Sequence, residues 1–408
     1  MPKPVKILEE NQAKILRGGP LVYLNFPRSY RLSAYDFLIN SAPLPPYKPN
    51  FDAQTLEIID HYQNGTADLL NRAENEKNAR LARRLAEVAL IKSYRDMYAG
   101  RGPADFKKAV TAVWGQPSRE LFWELVDQAL AQAGKPSRDA AVLAEVKKLI
   151  NIKPADQTAT WIHISPKLFK PARAEFKELF KPEVDMLNRA LADKPPVHRY
   201  NYQEVIELLR QAMVFYGLDK DGWQIVISDK TEKVMVNYDT KSISVSRGSL
   251  RLSKNRMIGL VLHEVFVHAK AKPHIRAHAG KIGERRVVEE GLGIFIEQMA
   301  LRRFYPVRSL RYISLGLALG LDGKPRNARE VYEIIWRLRY LGGSAKSRRV
   351  AKEYAAKEVV RTFRGMPLAQ RGVVITKDRA YVEGNRMIWA YLADHGPKII
   401  FSQLLGKK

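Results

Sequence analysis

Apolar residues recur at helical spacing through much of the first half of the chain. Leu81, Leu85 and Val88 lie on one face of a predicted helix that Gly100 and Gly102 end. Another helix is predicted to fill about 172–192 and to end before a pair of prolines. Two more are predicted to start at serines that follow prolines, namely Ser118 and Ser137.

Beyond Pro195-Pro196 the pattern changes to shorter segments. A helix near 202–216 precedes three predicted strands, which are Trp223 to Ile227, Lys233 to Val236 and Ser242 to Ser246. The last two alternate apolar and polar residues around Asn237-Tyr238-Asp239-Thr240, which predicts a hairpin. Ser253 then caps a helix with an apolar face, and Pro273 ends it.

These patterns divide the chain into three predicted regions. Residues 1–50 form an irregular, proline-containing lead segment, 51–195 a helical region, and 196–400 the core. Helices, a small mixed or antiparallel sheet, and then more helices are typical of the α+β class. An exposed edge strand of such a sheet can pair with an extended peptide.

Composition limits the kinds of binding partner and of catalytic or metal-binding chemistry that this chain can have. The chain carries 69 Lys+Arg against 43 Asp+Glu, a net charge of +26, which favours anionic partners, although a solvated basic surface explains it equally well. The absence of cysteine excludes disulfides, Cys-ligated zinc and thiol catalysis. The first residues lack the apolar core of a signal peptide, and the longest apolar run is too short to cross a bilayer. We therefore expect a soluble, cytoplasmic protein.

The candidate chemistry is concentrated in the segment His263-Glu264-Val265-Phe266-Val267-His268. Two imidazoles and one carboxylate can fill three of the four positions around Zn²⁺ and leave the fourth for water. Glu264 would then be the general base for that water. The alternative is that Glu264 and both histidines lie on a solvated face or pair with some of the many arginines.

The spacing of the two histidines is one residue longer than in H-E-x-x-H. A five-residue step leaves two side chains about 140° apart on an α-helix, whereas a four-residue step leaves them about 40° apart. Both histidines can face one metal only if the helix absorbs the extra residue as a π-bulge. The zinc interpretation therefore predicts such a bulge.

A carboxylate ligand is offered by Glu289-Glu290-Gly291-Leu292, which opens another amphipathic run. Only one of the two acids needs to point inward. Glu290 directly precedes the apolar run and is the chosen ligand, with Glu289 placed beside the ligands or on the surface. The alternative is that both acids only compensate the dipole of a helix that begins near Glu284.

Other polar clusters are less specific. His274 and His278 are four residues apart, but the neighbouring cations disfavour a metal, so they are interpreted as surface or substrate-side residues. Near 361–365 and 376–384 the chain gathers cations, a phenol and glycines. These can bind an oxyanion or a terminal carboxylate, or they can form a loop and a helix cap.

The order HEVFVH, EEGL, R-x-x-R-G and T-K-D-x-x-Y-x-E-G resembles the QEGLA-motif family of metallopeptidases, from about Tyr200 to Leu392. That family is known as the flavohemoglobin expression-modulating QEGLA motif proteins and includes the microtubule-associated tyrosine carboxypeptidases. Two departures concern substrate specificity: Val265-Phe266 replaces a usual glycine, and EEGLG stands in place of QEGLA.

The resemblance implies a zincin-like fold and a zinc-dependent carboxypeptidase. By position, His263, His268 and Glu290 would be the Zn²⁺ ligands and Glu264 the catalytic base. A second set would lie near substrate and match family motif positions; its members are Arg364, Lys377 and Tyr381. The expected partner is a peptide or protein, and the basic charge favours one with an acidic C-terminal tail.

Two other functions remain as alternatives. The first is a protein that binds nucleic acid or another polyanion on an inactive metallopeptidase scaffold, although no recognised nucleic-acid motif supports it. The second is a regulatory protein with a structural zinc, in which His274 or His278 would be the fourth ligand.

Overall fold

The structure is a computed structural model that describes residues 28–43, 49, 79–133, 139–150, 166–227, 234–238, 240–302, 309–343 and 345–407. Helices dominate, and the strands form two small sheets. The predicted α+β class is therefore confirmed. Among the described residues, no helix is both long enough and apolar enough to cross a membrane.

The chain divides into two compact units, each built from separate segments. Unit 1 comprises Met1–Trp161 and Arg308–Arg379, and unit 2 comprises Ile162–Val307 and Ala380–Lys408. This grouping differs from the division 1–50, 51–195 and 196–400, which stays a prediction.

The regular elements of unit 1 are all helices in its described part. Its α-helices are α1 (Arg28–Asn40), α2 (Ala79–Tyr98), α3 (Pro103–Trp114), α4 (Arg119–Ala133), α5 (Ala140–Leu149), α12 (Ser309–Leu319), α13 (Ala328–Leu341) and α14 (Arg348–Thr362), followed by a 3₁₀ turn at Thr376–Asp378. Helix α1 corrects the prediction that residues 1–50 are irregular. Its Tyr30, Ala34 and Leu38 are buried and lie four residues apart, so one face packs inward.

The helix starts in unit 1 follow capping chemistry. The Ser118 hydroxyl accepts from the backbone N–H of Leu121, which confirms that serine as the cap of α4. Asp139 caps α5 in the same way through Val142. The predicted start at Ser137 lies outside the described residues, as do Pro45, Pro46 and the rest of 44–48 in the proline-rich segment.

Unit 2 begins with helices and continues into the sheets. Its elements are α6 (Pro166–Leu179), α7 (Lys181–Ala190), β1 (Val197–Tyr200), α8 (Tyr202–Phe215), β2 (Gln224–Ile227), β3 (Val234–Asn237), β4 (Ser242–Val245), β5 (Leu250–Ser253), α9 (Lys254–Val261), a π-helix (Leu262–Lys270), α10 (Lys272–His278), a 3₁₀ turn (Ala279–Lys281) and α11 (Arg285–Leu301). After unit 1 come α15 (Arg379–His395), α16 (Pro397–Ile399) and a second π-helix (Ile400–Leu404). The helix predicted at 172–192 is thus two helices that meet at Phe180.

The larger sheet has the order β2-β4-β3, with β2 parallel and β3 antiparallel to the central β4. Val236 pairs with Ile243 across the predicted hairpin, which is confirmed. Lys233, the first residue of the predicted strand, lies outside the described residues. Strand β3 contacts the π-helix, so an edge of the sheet lies beside the histidine-bearing segment.

The π-helix is held in the main core of unit 2. Its apolar side chains Val265, Phe266 and Val267 are all at most 3% exposed. Phe180 packs edge-on against Phe266 at 4.9 Å between ring centroids. This close packing holds the segment in place, which gives its polar residues a defined orientation.

Candidate metal centre

The two histidines lie on a π-helix that continues directly from α9. Residues Leu262–Lys270 are wound in the π conformation, and the N–H of Ala271 donates to the carbonyl of Phe266, five residues earlier, at 2.7 Å. The predicted π-bulge is therefore confirmed, and it spans the whole motif. A five-residue hydrogen-bond step brings residues five apart onto the same side, and it does so here without a glycine in the motif.

Three donor atoms converge from the π-helix and α11. The Nε2 atoms of His263 and His268 are 3.0 Å apart, and they lie 3.8 and 3.6 Å from Oε2 of Glu290. The circle through these three atoms has a radius of about 2.0 Å, which equals a Zn–N or Zn–O bond length. The residues present therefore fit a zinc ion in size and in donor type.

A carboxylate lies behind each imidazole. Nδ1 of His263 is 2.7 Å from Oε1 of Glu297, and Nδ1 of His268 is 2.7 Å from Oε1 of Glu289. A carboxylate can only accept, so each Nδ1 carries the proton. That tautomer leaves the Nε2 lone pairs facing the converging donors, as in carboxylate–histidine–zinc arrangements.

The charges favour a cation at this point. Burial lowers the pKa of His263, but hydrogen bonds to Glu290 and Glu297 outweigh it and raise the pKa to about 10. Burial likewise opposes the effect of Glu289 and Glu290 on His268, whose pKa rises to about 9. The carboxylates stabilise positive charge here, and a divalent cation can supply it in place of imidazole protons.

Glu289 is held by two cationic groups. Its Oε1 accepts from Lys272 Nζ at 2.6 Å as well as from His268. Burial alone would raise the pKa of Glu289, but His268 and then Lys272 lower it to about 2. The side chain of Glu289 is therefore an ionised carboxylate that supports His268. Of the two places considered for Glu289 from the sequence, beside the ligands or on the surface, the structure has the first.

Glu264 lies between the two histidines in sequence and interacts electrostatically with both of them and with Glu290. Burial raises the pKa of its carboxyl, and the two imidazoles oppose that rise. A carboxylate with a raised pKa is a stronger base, which suits the removal of a proton from water.

Two glycines of the EEGLG segment create space that a side chain would fill. A Cβ at Gly293 would lie 2.5 Å from Nε2 of His263, so the imidazole rests against the backbone of α11. A Cβ at Gly291 would lie 2.2 Å from the carbonyl carbon of Gly384 on α15. The two helices therefore cross in backbone contact next to Glu290.

The residues predicted to contact substrate lie in different units. Arg364 and Lys377 belong to unit 1, where Arg364 donates to the buried Asp378 at 2.6 Å. Tyr381 belongs to unit 2, on α15, one helical turn before the Gly384 crossing. Their roles at a substrate stay a prediction.

Within the described part of the chain, His263, His268 and Glu290 are the group of three or more acids and histidines placed to hold a metal. His274 and His278 are not in this group, and Nδ1 of His278 lies 2.9 Å from the carbonyl oxygen of His274. Three protein donors are typical of catalytic zinc, whereas structural zinc has four.

Sequence reasoning missed Glu297 and Lys272. Glu297 follows Glu290 by seven residues, which is two helical turns, so helical spacing could have placed both acids on one face of α11. No sequence signal marks Lys272, because its contact with Glu289 depends on how α10 packs against α11.

Comparison with protein-family models matches residues 158–398 to the family described as "Microtubule-associated tyrosine carboxypeptidase". The matched segment holds the three donors and the carboxylates behind them. Searches of curated proteins and of solved structures gave no match. Because the family match covers more than half of its 408 residues, the chain belongs to the microtubule-associated tyrosine carboxypeptidase family.

Proposed function

We propose that this protein is a zinc-dependent metallopeptidase of the carboxypeptidase type, which removes a C-terminal residue from a peptide or protein. The observation that carries the proposal is the convergence of His263, His268 and Glu290 at zinc-binding distances in a member of a carboxypeptidase family. By the family's printed name, a C-terminal tyrosine is the first candidate for the residue removed. A zincin-like arrangement of the core is part of this proposal.

His263, His268 and Glu290 would hold the metal. When bound, zinc supplies Lewis-acid chemistry, polarising the scissile carbonyl and lowering the pKa of water. Glu297 and Glu289 keep both histidines in the tautomer that presents Nε2. Hydrogen bonds and helix packing hold these side chains with their donor atoms converging.

Glu264 would act first as a general base and then as a general acid. Its carboxylate takes a proton from the attacking water and holds it on a carboxyl oxygen. It then delivers that proton to the nitrogen of the leaving amine, since a free amine leaves more readily than an amide anion. The position of Glu264 next to His263 and its electrostatic contact with both histidines support this role.

Substrate recognition is proposed to depend on cationic and phenolic side chains that bind the carboxylate or the oxyanion of the substrate. The cationic and phenolic side chains Arg364, Lys377 and Tyr381 match the family's motif positions, and such groups bind carboxylates and oxyanions. The net charge of +26 favours substrates with acidic tails, by steering them over distances of about a Debye length.

The same charge supports a second candidate, a polyanion-binding protein on an inactive metallopeptidase scaffold. Binding to nucleic acid would fall steeply with salt and would not need metal. The enzyme would show the opposite dependence, since removal of zinc would stop turnover at any salt concentration.

The deciding experiment is elemental analysis of wild type and His263→Ala, both purified without added metal. We expect about one zinc per chain in wild type and loss of zinc in the variant. Wild type should then trim peptides that end in Glu-Glu-Tyr, with a chelator stopping the reaction. Absence of zinc from wild type, even after reconstitution, would refute the metallopeptidase.

A further inference from the structure

A second polar pocket lies in unit 2, among α6, α7, α9 and α11. It is a small cavity of about 20 Å³ that opens to solvent. Its polar lining consists of two arginines and two asparagines: Arg173, Arg302, Asn188 and Asn255. Apolar residues, including Phe176 and Ile258, complete the wall. No carboxylate is among the lining residues that the structure describes.

Arg173 presents unsatisfied donors in this pocket. Its Nε and Nη1 atoms are buried and have no hydrogen-bond partner among the residues that the structure describes. The guanidinium carbon Cζ of Arg173 lies 5.1 Å from the ring centroid of Phe176. This cation–π contact gives Nε and Nη1 no hydrogen-bond acceptor. A buried N–H group of a charged side chain is costly to leave without a hydrogen-bond acceptor. The site therefore favours a ligand that supplies acceptor atoms.

A second positive charge lies near the first, on the exposed residue Arg302. Burial and then the charge of Arg302 lower the pKa of Arg173 to about 10. Arg302 is the residue after α11 and has a left-handed backbone with φ of 56°, which fixes the direction of the chain there. The two positive charges repel each other, and an anion bound between them would offset that repulsion.

Water could accept from Arg173 but would bring no negative charge to offset the two positive ones. An oxyanion supplies acceptor oxygens and negative charge together, and guanidinium groups match its geometry through paired N–H donors. Asn188 and Asn255 offer amide donors of suitable chemistry from α7 and α9. The lining thus has the composition of an anion site.

We propose that this pocket binds an oxyanion, either a free phosphate or a carboxylate group, through Arg173 and Arg302. The occupant would join four helices of unit 2 at a site separate from the metal donors. The proposal does not depend on the peptidase activity, because none of its residues belongs to the metal centre.

Thermal unfolding with inorganic phosphate tests this proposal, with sodium chloride at matched ionic strength as the reference. We expect phosphate, or a Glu-Glu dipeptide amide as the carboxylate probe, to raise the Tm of wild type in a saturable way. Saturation by phosphate identifies free phosphate as the occupant, and saturation by the dipeptide alone identifies a carboxylate.

The variants Arg173→Gln and Arg302→Gln should bind the active probe at least about tenfold more weakly. The matched control is Arg210→Gln, which removes an exposed arginine of α8 in the same unit. It should leave binding unchanged. If Arg173→Gln does not fold, Arg302→Gln decides alone. No saturable shift in wild type with either probe, or equal binding by wild type and both pocket variants, would overturn the proposal.

Discussion

The imidazole Nδ1 of His263 lies 2.7 Å from Oε1 of Glu297, across the contact between the π-helix and α11. This pair fixes the ring that carries the first of the three converging donors. Glu297→Ala should therefore weaken zinc binding by about 10–100-fold, because the ring loses its orientation and its tautomer. Competition with a chromogenic chelator measures the change.

The control for Glu297 is Glu207→Ala, which removes an exposed carboxylate of α8. It should leave zinc affinity at the wild-type value. Equal affinity in Glu297→Ala and wild type would mean that Glu297 does not position His263.

Glu290 and Glu289 are adjacent, yet the structure gives them different places. Glu290→Ala should lose most of its zinc on dialysis, because a ligand is gone. Glu289→Ala should retain zinc with affinity reduced about 10–100-fold, because only the support of His268 is lost. Zinc per chain after dialysis separates the two, and the reverse order would move the ligand by one position.

Glu264→Gln keeps the shape of the side chain but removes the base. Zinc content should stay at the wild-type level, while kcat falls by about 10²–10⁴-fold or more. Steady-state kinetics beside elemental analysis gives both values. Wild-type turnover in this variant would end the assignment of Glu264 as the general base.

Gly384 allows α15 to touch α11. A Cβ there would lie 1.9 Å from the carbonyl oxygen of Val287, a backbone atom that cannot turn away. Gly384→Ala should lower the free energy of unfolding by about 1–3 kcal/mol or more, as overpacking does. Denaturant unfolding measures it. Gly280→Ala, which meets nothing within 4 Å, is the control and should change stability little.

The buried carboxylate of Asp378 lies among three partly buried arginines of unit 1. Burial alone would raise the pKa of its carboxyl, but Arg361, Arg364 and Arg311 outweigh it and hold the pKa well below its usual range. Asp378→Asn should cost about 3–5 kcal/mol at pH 7, because it removes the buried negative charge that the three guanidinium groups share.

The pH dependence follows from the lowered pKa of Asp378. Its contribution is fully present above the unfolded-state pKa, about 3.9, and is lost as pH falls through the lower folded-state pKa. The difference in denaturant midpoint between wild type and Asp378→Asn should therefore be equal at pH 7 and pH 5 and smaller at pH 3. Glu353→Gln, a change at an exposed ion pair, should show little difference at any pH.

Local patterns predicted much of this structure. The hairpin at 237–240, the Ser253 cap and the π-helix each follow from nearby residues: alternation, a hydroxyl before an apolar run, and two histidines five apart. The family was also identified correctly from the order of four short motifs. In each case the signal and the structure occupy the same few residues.

The remaining features depend on contacts between distant segments. Lys272 reaches Glu289 only because α10 and α11 pack together, and no spacing rule marks that approach. Helix α1 was mistaken for irregular chain, because its short apolar face of Tyr30, Ala34 and Leu38 is followed by prolines. Tertiary burial of that face outweighed the proline-rich surroundings.

The discontinuous unit 1 has a consequence for the order of synthesis. The ribosome makes 162–307 before Arg308–Arg379, and the whole set of donors and supporting carboxylates lies between His263 and Glu297. Contacts close in sequence form fastest, and these contacts are made within one segment, although unit 2 is completed only by the later Ala380–Lys408. The metal-binding side chains of unit 2 are therefore available to meet while the second segment of unit 1 is still being made.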